Sequence, residues 1–153
     1  MSIREWISGI FIDRYIKGET KFLEKISLFY GLSPKALMRV LNIVHYKKYF
    51  VGETVFSEGQ EGKVLYIIKT GEVTVSKKNK IICKLYPGDF FGEMALLEEI
   101  PRSATVKVSK DSELLLVYKV KFDELLEDNA KIGIKLVYNL AKILSFRIRQ
   151  TTG

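Results

Sequence analysis

Between Gly88 and Thr105 the sequence gathers the residue types that an anion site needs: Gly88-Asp89-Phe90-Phe91-Gly92-Glu93-Met94-Ala95-Leu96-Leu97-Glu98-Glu99-Ile100-Pro101-Arg102-Ser103-Ala104-Thr105. Arg102 brings a cation and a planar fork of N–H donors matched to phosphate oxygens, whereas Glu93 offers only acceptors and so suits a hydroxyl donor. The run from Glu93 consists of helix formers. The first N–H groups of a helix lack intrahelical partners and sit at its positive end, where anions bind. Gly88 and Gly92 let the backbone turn tightly and approach a ligand closely. A carboxylate beside a bound anion is unfavourable unless the ligand brings its own donors. The stretch therefore predicts a pocket for a small ligand with one negative charge and a free hydroxyl. No Gly-Lys-Ser/Thr follows a glycine-rich loop and no carboxylate cluster would hold magnesium, so the phosphate loop of nucleoside triphosphatases is excluded.

Such a pocket needs a frame. The chain has 153 residues, 47% hydrophobic and 28% charged, which is enough for one domain with a buried core and helical flanks. One cysteine, Cys83, and one histidine, His45, can form neither an intrachain disulfide nor a Cys/His metal site, and they fit a reducing cytoplasm. Cys83 lies between apolar residues in a strand-like run and is expected to be buried. His45 is read as a structural or surface residue. The net charge of +7 raises a nucleic-acid reading. The basic residues are scattered, however, and the densest group, Lys77-Lys78-Asn79-Lys80, has the composition of a hairpin turn, so no nucleic-acid partner is expected. Arg4, Glu5, Asp13, Arg14 and Lys17 interrupt any signal-peptide core, and no apolar run approaches the roughly 18 residues of a membrane span. A soluble cytoplasmic protein is expected. No nucleophile and base pair and no metal constellation is visible, so an enzyme is not.

From Ile3, the residues Trp6, Ile7, Ile10 and Phe11 follow helical spacing, giving an amphipathic helix that docks on its own domain or, as the alternative, meets a partner or membrane surface. Gly18-Glu19 breaks this pattern, Phe22 to Phe29 reads as a second short helical segment, and Ser33-Pro34 opens a third from Pro34 to Asn42 with Leu37, Val40 and Leu41 buried. After Val44 the period changes to 2. Tyr46–Phe50, Thr54–Ser57, Lys63–Lys69, Glu72–Ser76, Lys80–Tyr86, Ser103–Val108 and Glu113–Tyr118 read as short strands, separated by turn signals that include Gly71 and Lys110-Asp111. Strands so spaced indicate an antiparallel sandwich or barrel. From Phe122 the helical period returns, with a break at Asp128-Asn129 and a long helix from Lys131 to Arg149. Ile132, Leu136, Leu140 and Ile143 form its apolar side, and Val137, Leu144 and Ile148 widen it. The expected division is a helical segment over 1–43, a β domain over 44–120 with the site at 88–105, and C-terminal helices over 121–153.

Ribose hydroxyls are donors of this kind, and a cyclic nucleotide, with one negative charge and a free ribose hydroxyl, meets both conditions. Phe91-Gly92-Glu93-Met94-Ala95-Leu96-Leu97, followed by Pro101-Arg102-Ser103-Ala104-Thr105, closely resembles the phosphate-binding cassette of cyclic-nucleotide-binding domains, found in cyclic-nucleotide-dependent kinases, gated channels and catabolite activators. The interval from Glu93 to Arg102 matches the kinase type. Gly52-Glu53-Thr54-Val55-Phe56, Gly59-Gln60-Glu61-Gly62, Leu65-Tyr66-Ile67-Ile68, Gly71-Glu72-Val73-Thr74-Val75 and Pro87-Gly88-Asp89 extend the likeness over about Leu28 to Arg149. The resemblance implies a mostly β fold, a double-stranded β-helix or jelly-roll-like β-roll with N-terminal helices and C-terminal lid helices. It further implies that Arg102 pairs with the exocyclic phosphate oxygens and that Glu93 accepts the ribose 2'-hydroxyl. Backbone N–H groups at Ala95 and Ser103 would complete the cradle, Gly92 and Ala104 would keep it open, and Met94 lies in the same turn. Val75 and Ile82 would wall the base, and Arg147 on the last helix stands near a lid position.

What the resemblance implies is a sensor without cofactor or catalysis, binding cAMP or cGMP, with cAMP expected over cGMP. Ligand would draw the segment from Phe122 to Arg149 toward the barrel and signal through it to an effector protein or a second copy. Two alternatives are a structural module of the same fold that binds no nucleotide and a DNA-binding regulator. The second is disfavoured, since only Gln150 to Gly153 follow the long helix where catabolite activators carry a helix-turn-helix.

Overall fold

The computed structural model describes residues 2–152, excepting the side chains of Ile7 and Thr152, so the expected contribution of Ile7 to a helix face lies outside the described residues. The chain forms two compact units, one of residues 43–124 and one of residues 1–42 with 125–153.

The unit of residues 43–124 is an antiparallel β-roll. Its strands are β1 (Val44–Tyr49), β2 (Thr54–Phe56), β3 (Val64–Lys77), β4 (Lys80–Leu85), β5 (Phe90–Phe91) and β6 (Thr105–Tyr118). β6 pairs with β1, β2 and β3, and β3 pairs in turn with β4 and β5. The frame is the β3–β6 ladder, which runs in antiparallel register from Val64 opposite Tyr118 to Ser76 opposite Thr105. Period-2 alternation turns Tyr66, Ile68, Val73, Val106, Val108, Leu114 and Leu116 inward, where they join Tyr49 and Phe91 in one apolar core. Leu65, Ile67, Leu115 and Val117 point to the other face and are buried too. A run apolar on both faces gives the uninterrupted Leu-Tyr-Ile-Ile and Leu-Leu-Leu-Val sequences.

Two breaks expected from the sequence are absent. Gly71 and Lys110-Asp111, read as turns, lie inside β3 and β6, where the ladder shifts register between Ile68 and Val73. Gly71 has φ +96, and a Cβ on it would lie 2.0 Å from Ser112 Oγ. Glycine is needed there because the bulged strands approach each other, which also bends them. The Lys77–Lys80 segment is the expected hairpin turn, with Lys78 and Asn79 at φ 50 and 64 as a two-residue primed turn requires. Cys83, expected to be buried, is exposed. Its strand, β4, pairs with β3 alone, and five of its six residues face solvent.

The second unit is helical. α1 (Ile3–Glu24) is opened by a capping box in which Ser2 Oγ accepts from the Glu5 N–H at 3.1 Å and Glu5 accepts from the Ser2 N–H at 2.9 Å. The expected break at Gly18-Glu19 does not occur. One helical glycine costs only about 1 kcal/mol, and Thr20 supports the same turn through its hydroxyl on the Ile16 carbonyl. Ile3, Trp6 and Phe11 of the face expected to dock are exposed and Ile10 is half-buried, and Ile12 and Tyr15 beside them are exposed too. A 3-10 turn, Ser27–Phe29, leads to α2 (Pro34–Ile43), capped by Ser33 as expected. α3 (Lys119–Asp128) and α4 (Ala130–Thr152) follow the barrel, with Asn129 capping α4. Ile132, Leu136 and Leu140 of α4 are buried, and Asn139 donates to the Leu28 and Tyr30 carbonyls at 2.9 and 2.8 Å, tying α4 to the 3-10 turn. No helix among the described residues is long and apolar enough to cross a membrane.

Candidate functional site

The site begins at the Pro87-Gly88-Asp89 turn. Asp89 Oδ2 accepts from the Tyr86 N–H at 2.8 Å, and the Gly88 N–H and Asp89 carbonyl bond the two sides of Ile68. This docks β5 on β3, with Phe91 opposite Tyr66 and their rings stacked 5.2 Å apart. Immediately after β5 the chain turns at Gly92, φ +77, into a 3-10 turn over Glu93–Leu96. Glu93, Ala95 and Leu96 are buried and Met94 is half exposed. The expected helix start at Glu93 is thus one tight turn. Its closing bond is the Ala95 N–H on the Gly92 carbonyl at 3.1 Å, so an anion at this amide would have to share that hydrogen, as three-centre bonds at helix ends do.

Arg102 arrives from the other side, held first by its backbone. Its N–H donates to the Gln60 carbonyl at 2.7 Å, and its carbonyl accepts from the Gly59 N–H at 2.8 Å. The Gly59-Gln60-Glu61-Gly62 loop therefore clamps the arginine between two hydrogen bonds. The side chain is 9% exposed, with its guanidinium over the Phe56 ring at 4.1 Å and near Tyr66 at 5.8 Å. Nη2 donates to the Val64 carbonyl at 2.8 Å and Nη1 reaches the Gly92 carbonyl at 3.5 Å. Nε is buried with no hydrogen-bond partner. A Cβ at Gly62 would lie 3.0 Å from Cζ and Nε, and one at Gly92 would lie 2.6 Å from Nη1. Both glycines are bare so that the guanidinium can lie there.

Burial pushes the Arg102 guanidinium below its ordinary value, the Tyr66 hydroxyl acting against this. Burial likewise raises the Tyr66 phenol. A desolvated cation with one unsatisfied donor is costly until an anion meets it. In the fold, Arg102 and Gly92 are in contact, Glu93 and Ala95 belong to the same turn, and Ser103 and Ala104 lead from Arg102 into β6. Val75 of β3 is half-buried between Val106 of β6 and Cys83 of β4, and Ile82 is an exposed residue at the β4 register shift. Arg147 lies on α4, in the other unit. Phe56, Gly62, Tyr66 and the Gln60 and Val64 carbonyls shape the arginine's surroundings and were not singled out as site residues in the sequence. The runs Gly52–Phe56, Gly59–Gly62 and Leu65–Ile68 carry part of the family resemblance, but nothing local in them says that they pack around Arg102.

Comparison with known proteins places the fold in a family. The cyclic nucleotide-binding domain family matches residues 46–129. The Cyclic AMP receptor protein of Thermus thermophilus is 30% identical over 128 residues, covering 80% of this chain and 57% of the relative. A cAMP-dependent protein kinase regulatory subunit of Eremothecium gossypii is 34% identical over 121 residues, 78% of this chain and 26% of the relative. The chain thus spans little more than half of the first and about a quarter of the second. Among solved structures, a cyclic nucleotide-binding domain from Methylobacillus flagellatus superposes with a TM-score of 0.77 at 27% identity, covering 90% of this chain and 80% of that one. More than half the chain matches the family, and the match contains the whole of the clamped arginine's surroundings: this protein belongs to the cyclic nucleotide-binding domain family.

Proposed function

We propose that this chain is a cyclic-nucleotide sensor whose phosphate site is Arg102. The observation that carries the reading is the buried guanidinium with its Nε unpartnered, fixed between Gly62 and Gly92 at the start of the Glu93 turn. An exocyclic phosphate supplies the missing acceptor, and Glu93 suits the ribose 2'-hydroxyl. Ser103 and Ala104, which follow the arginine in the chain, are the candidates to complete the cradle, while Val75 and Ile82 of adjacent strands are the candidates for the base. cAMP is favoured over cGMP, in keeping with the two relatives above, a Cyclic AMP receptor protein and a cAMP-dependent protein kinase regulatory subunit. The output is a change in the C-terminal helices, read by an effector or a second copy. α4 favours the second copy: Ile134, Val137, Ala141, Leu144 and Ile148 recur at alternating intervals of three and four, the spacing of a coiled-coil seam, and all but the half-buried Leu144 are exposed.

Titration calorimetry with cAMP and cGMP tests the reading. Wild type is expected to bind cAMP more tightly than cGMP, and Arg102→Ala is expected to weaken binding by roughly 10- to 150-fold, the equivalent of about 1.5–3 kcal/mol for a charge-assisted contact. Absence of heat with both nucleotides would instead identify an interaction module that keeps the fold without the ligand.

A further inference from the structure

A cavity of about 430 Å³ lies in the helical unit, remote in sequence from the cassette, and its charge is one-sided. Lys35 and Arg39 of α2 and Lys131 and Lys135 of α4 line it, and no aspartate or glutamate does. Each pair sits one helical turn apart, at the spacing where like charges repel. The cavity therefore gathers two like-charged pairs on one concave surface, where a bound anion would offset their repulsion. Lys135 is held in place by donating to the Gly31 carbonyl. Leu32 and Ile132 add apolar lining. The starts of both helices border the cavity through Ser33 and Asn129, so the positive ends of two helix dipoles add to the four cations.

We propose that this cavity binds a small, multiply charged phosphate anion, separately from the cyclic nucleotide. Its volume falls in the range of small-molecule sites, roughly 300–1,000 Å³. A concavity bordered by four exposed cations and no carboxylate suits a compact polyanion, whereas a nucleic-acid backbone is met by an extended basic stripe. The same phosphate chemistry also occurs on lipid headgroups, but a concavity of this volume admits a free anion whole.

The test is calorimetric titration of inorganic pyrophosphate and tripolyphosphate into the full chain, its Arg102→Ala variant and a Lys35→Gln/Arg39→Gln/Lys131→Gln variant. Lys135 is left intact because of its bond to Gly31. The expected result is saturable binding of one anion per chain that weakens as salt is raised. It should survive Arg102→Ala and weaken at least about tenfold in the triple variant. Thermal unfolding should show that the triple variant is at least as stable as wild type, since like-charge repulsion has been removed. Three results would overturn the proposal: no saturable binding, binding abolished by Arg102→Ala but not by the triple substitution, or triple-sensitive binding only to phosphatidylglycerol vesicles.

Discussion

Arg102 is fixed by backbone before its charge finds a partner. Hydrogen bonds to Gly59 and Gln60 leave its side chain facing Gly62, Gly92 and the Phe56 ring, and the absence of two β-carbons sets its place. Gly92 and Gly88 provide a paired experiment. Both have positive φ, +77 and +93, so alanine at either costs about 1–2 kcal/mol of left-handed strain. They differ in surroundings: a Cβ at Gly92 would lie 2.6 Å from Arg102 Nη1 and 3.1 Å from the Val64 carbonyl, whereas one at Gly88 would meet nothing within 4 Å. Gly88→Ala is therefore expected to lower the melting temperature and leave cAMP affinity within about twofold, while Gly92→Ala should lower both. Thermal unfolding and calorimetry on the two variants measure this. Normal affinity in Gly92→Ala would detach Arg102 from the ligand.

At the scale of elements, the long strands β3 and β6 separate what local sequence reveals from what only pairing decides. Glycine at 71 and Lys-Asp at 110–111 carry true turn chemistry, and the ladder absorbs both as register shifts inside strands of 14 residues each. Local signals located the irregularity and could not tell a bend from an end. The same limit hid the continuity of α1 through Gly18 and the exposure of Cys83, which depends on β4 lying at an edge. Family membership was legible because the charge and turn chemistry of Gly88–Thr105 lie within one short stretch. The Gly59–Gly62 loop, some forty residues earlier in the chain, was visible as part of the resemblance, but its hydrogen bonds to Arg102 depend on tertiary pairing.

The bend also holds a charge cluster with a measurable consequence. Glu72 is buried beside it, accepting from the Ser109 hydroxyl at 2.9 Å and facing Lys84 at 3.3 Å and Lys110 at 3.5 Å. The Ser109 hydrogen bond, opposed by burial and aided by Lys84 and Lys110, holds its carboxyl below the usual carboxylate range. The unfolded chain, with an ordinary carboxyl at about 4.3, then takes up the proton first as pH falls. The stabilisation is complete above that value and is lost as pH falls through the folded one. Melting temperature should consequently drop more steeply for wild type than for Glu72→Gln between about pH 6 and pH 3. Parallel curves would show that Glu72 contributes nothing to acid lability.

For the molecule as a whole, the question is whether a ligand on the β-roll changes the helical unit. A ligand shifts an equilibrium only by the difference in its affinity for the two states, and stabilises the state it prefers by mass action. At about one hundred times its dissociation constant, cAMP adds about 2.7 kcal/mol, a rise in melting temperature of roughly 5–10 °C for a chain of this size. That rise alone reports binding. Coupling is tested by hydrogen exchange, because α3 contributes residues to both units and the amides of α4 lie wholly in the other one. Under the sensor reading, cAMP should slow exchange in α3 and α4 as well as around Val64 and Gly92–Val106, and Arg102→Ala should abolish both effects. Sedimentation of the same samples should show whether a seam along Ile134, Val137, Ala141 and Ile148 pairs two chains when nucleotide is bound. Slowed exchange confined to the β-roll, with unchanged sedimentation, would leave a binding domain that sends no message through its helices. A change in α4 without a change near Arg102 would place the ligand elsewhere, and the four cations of the α2–α4 cavity would then be the first positions to substitute.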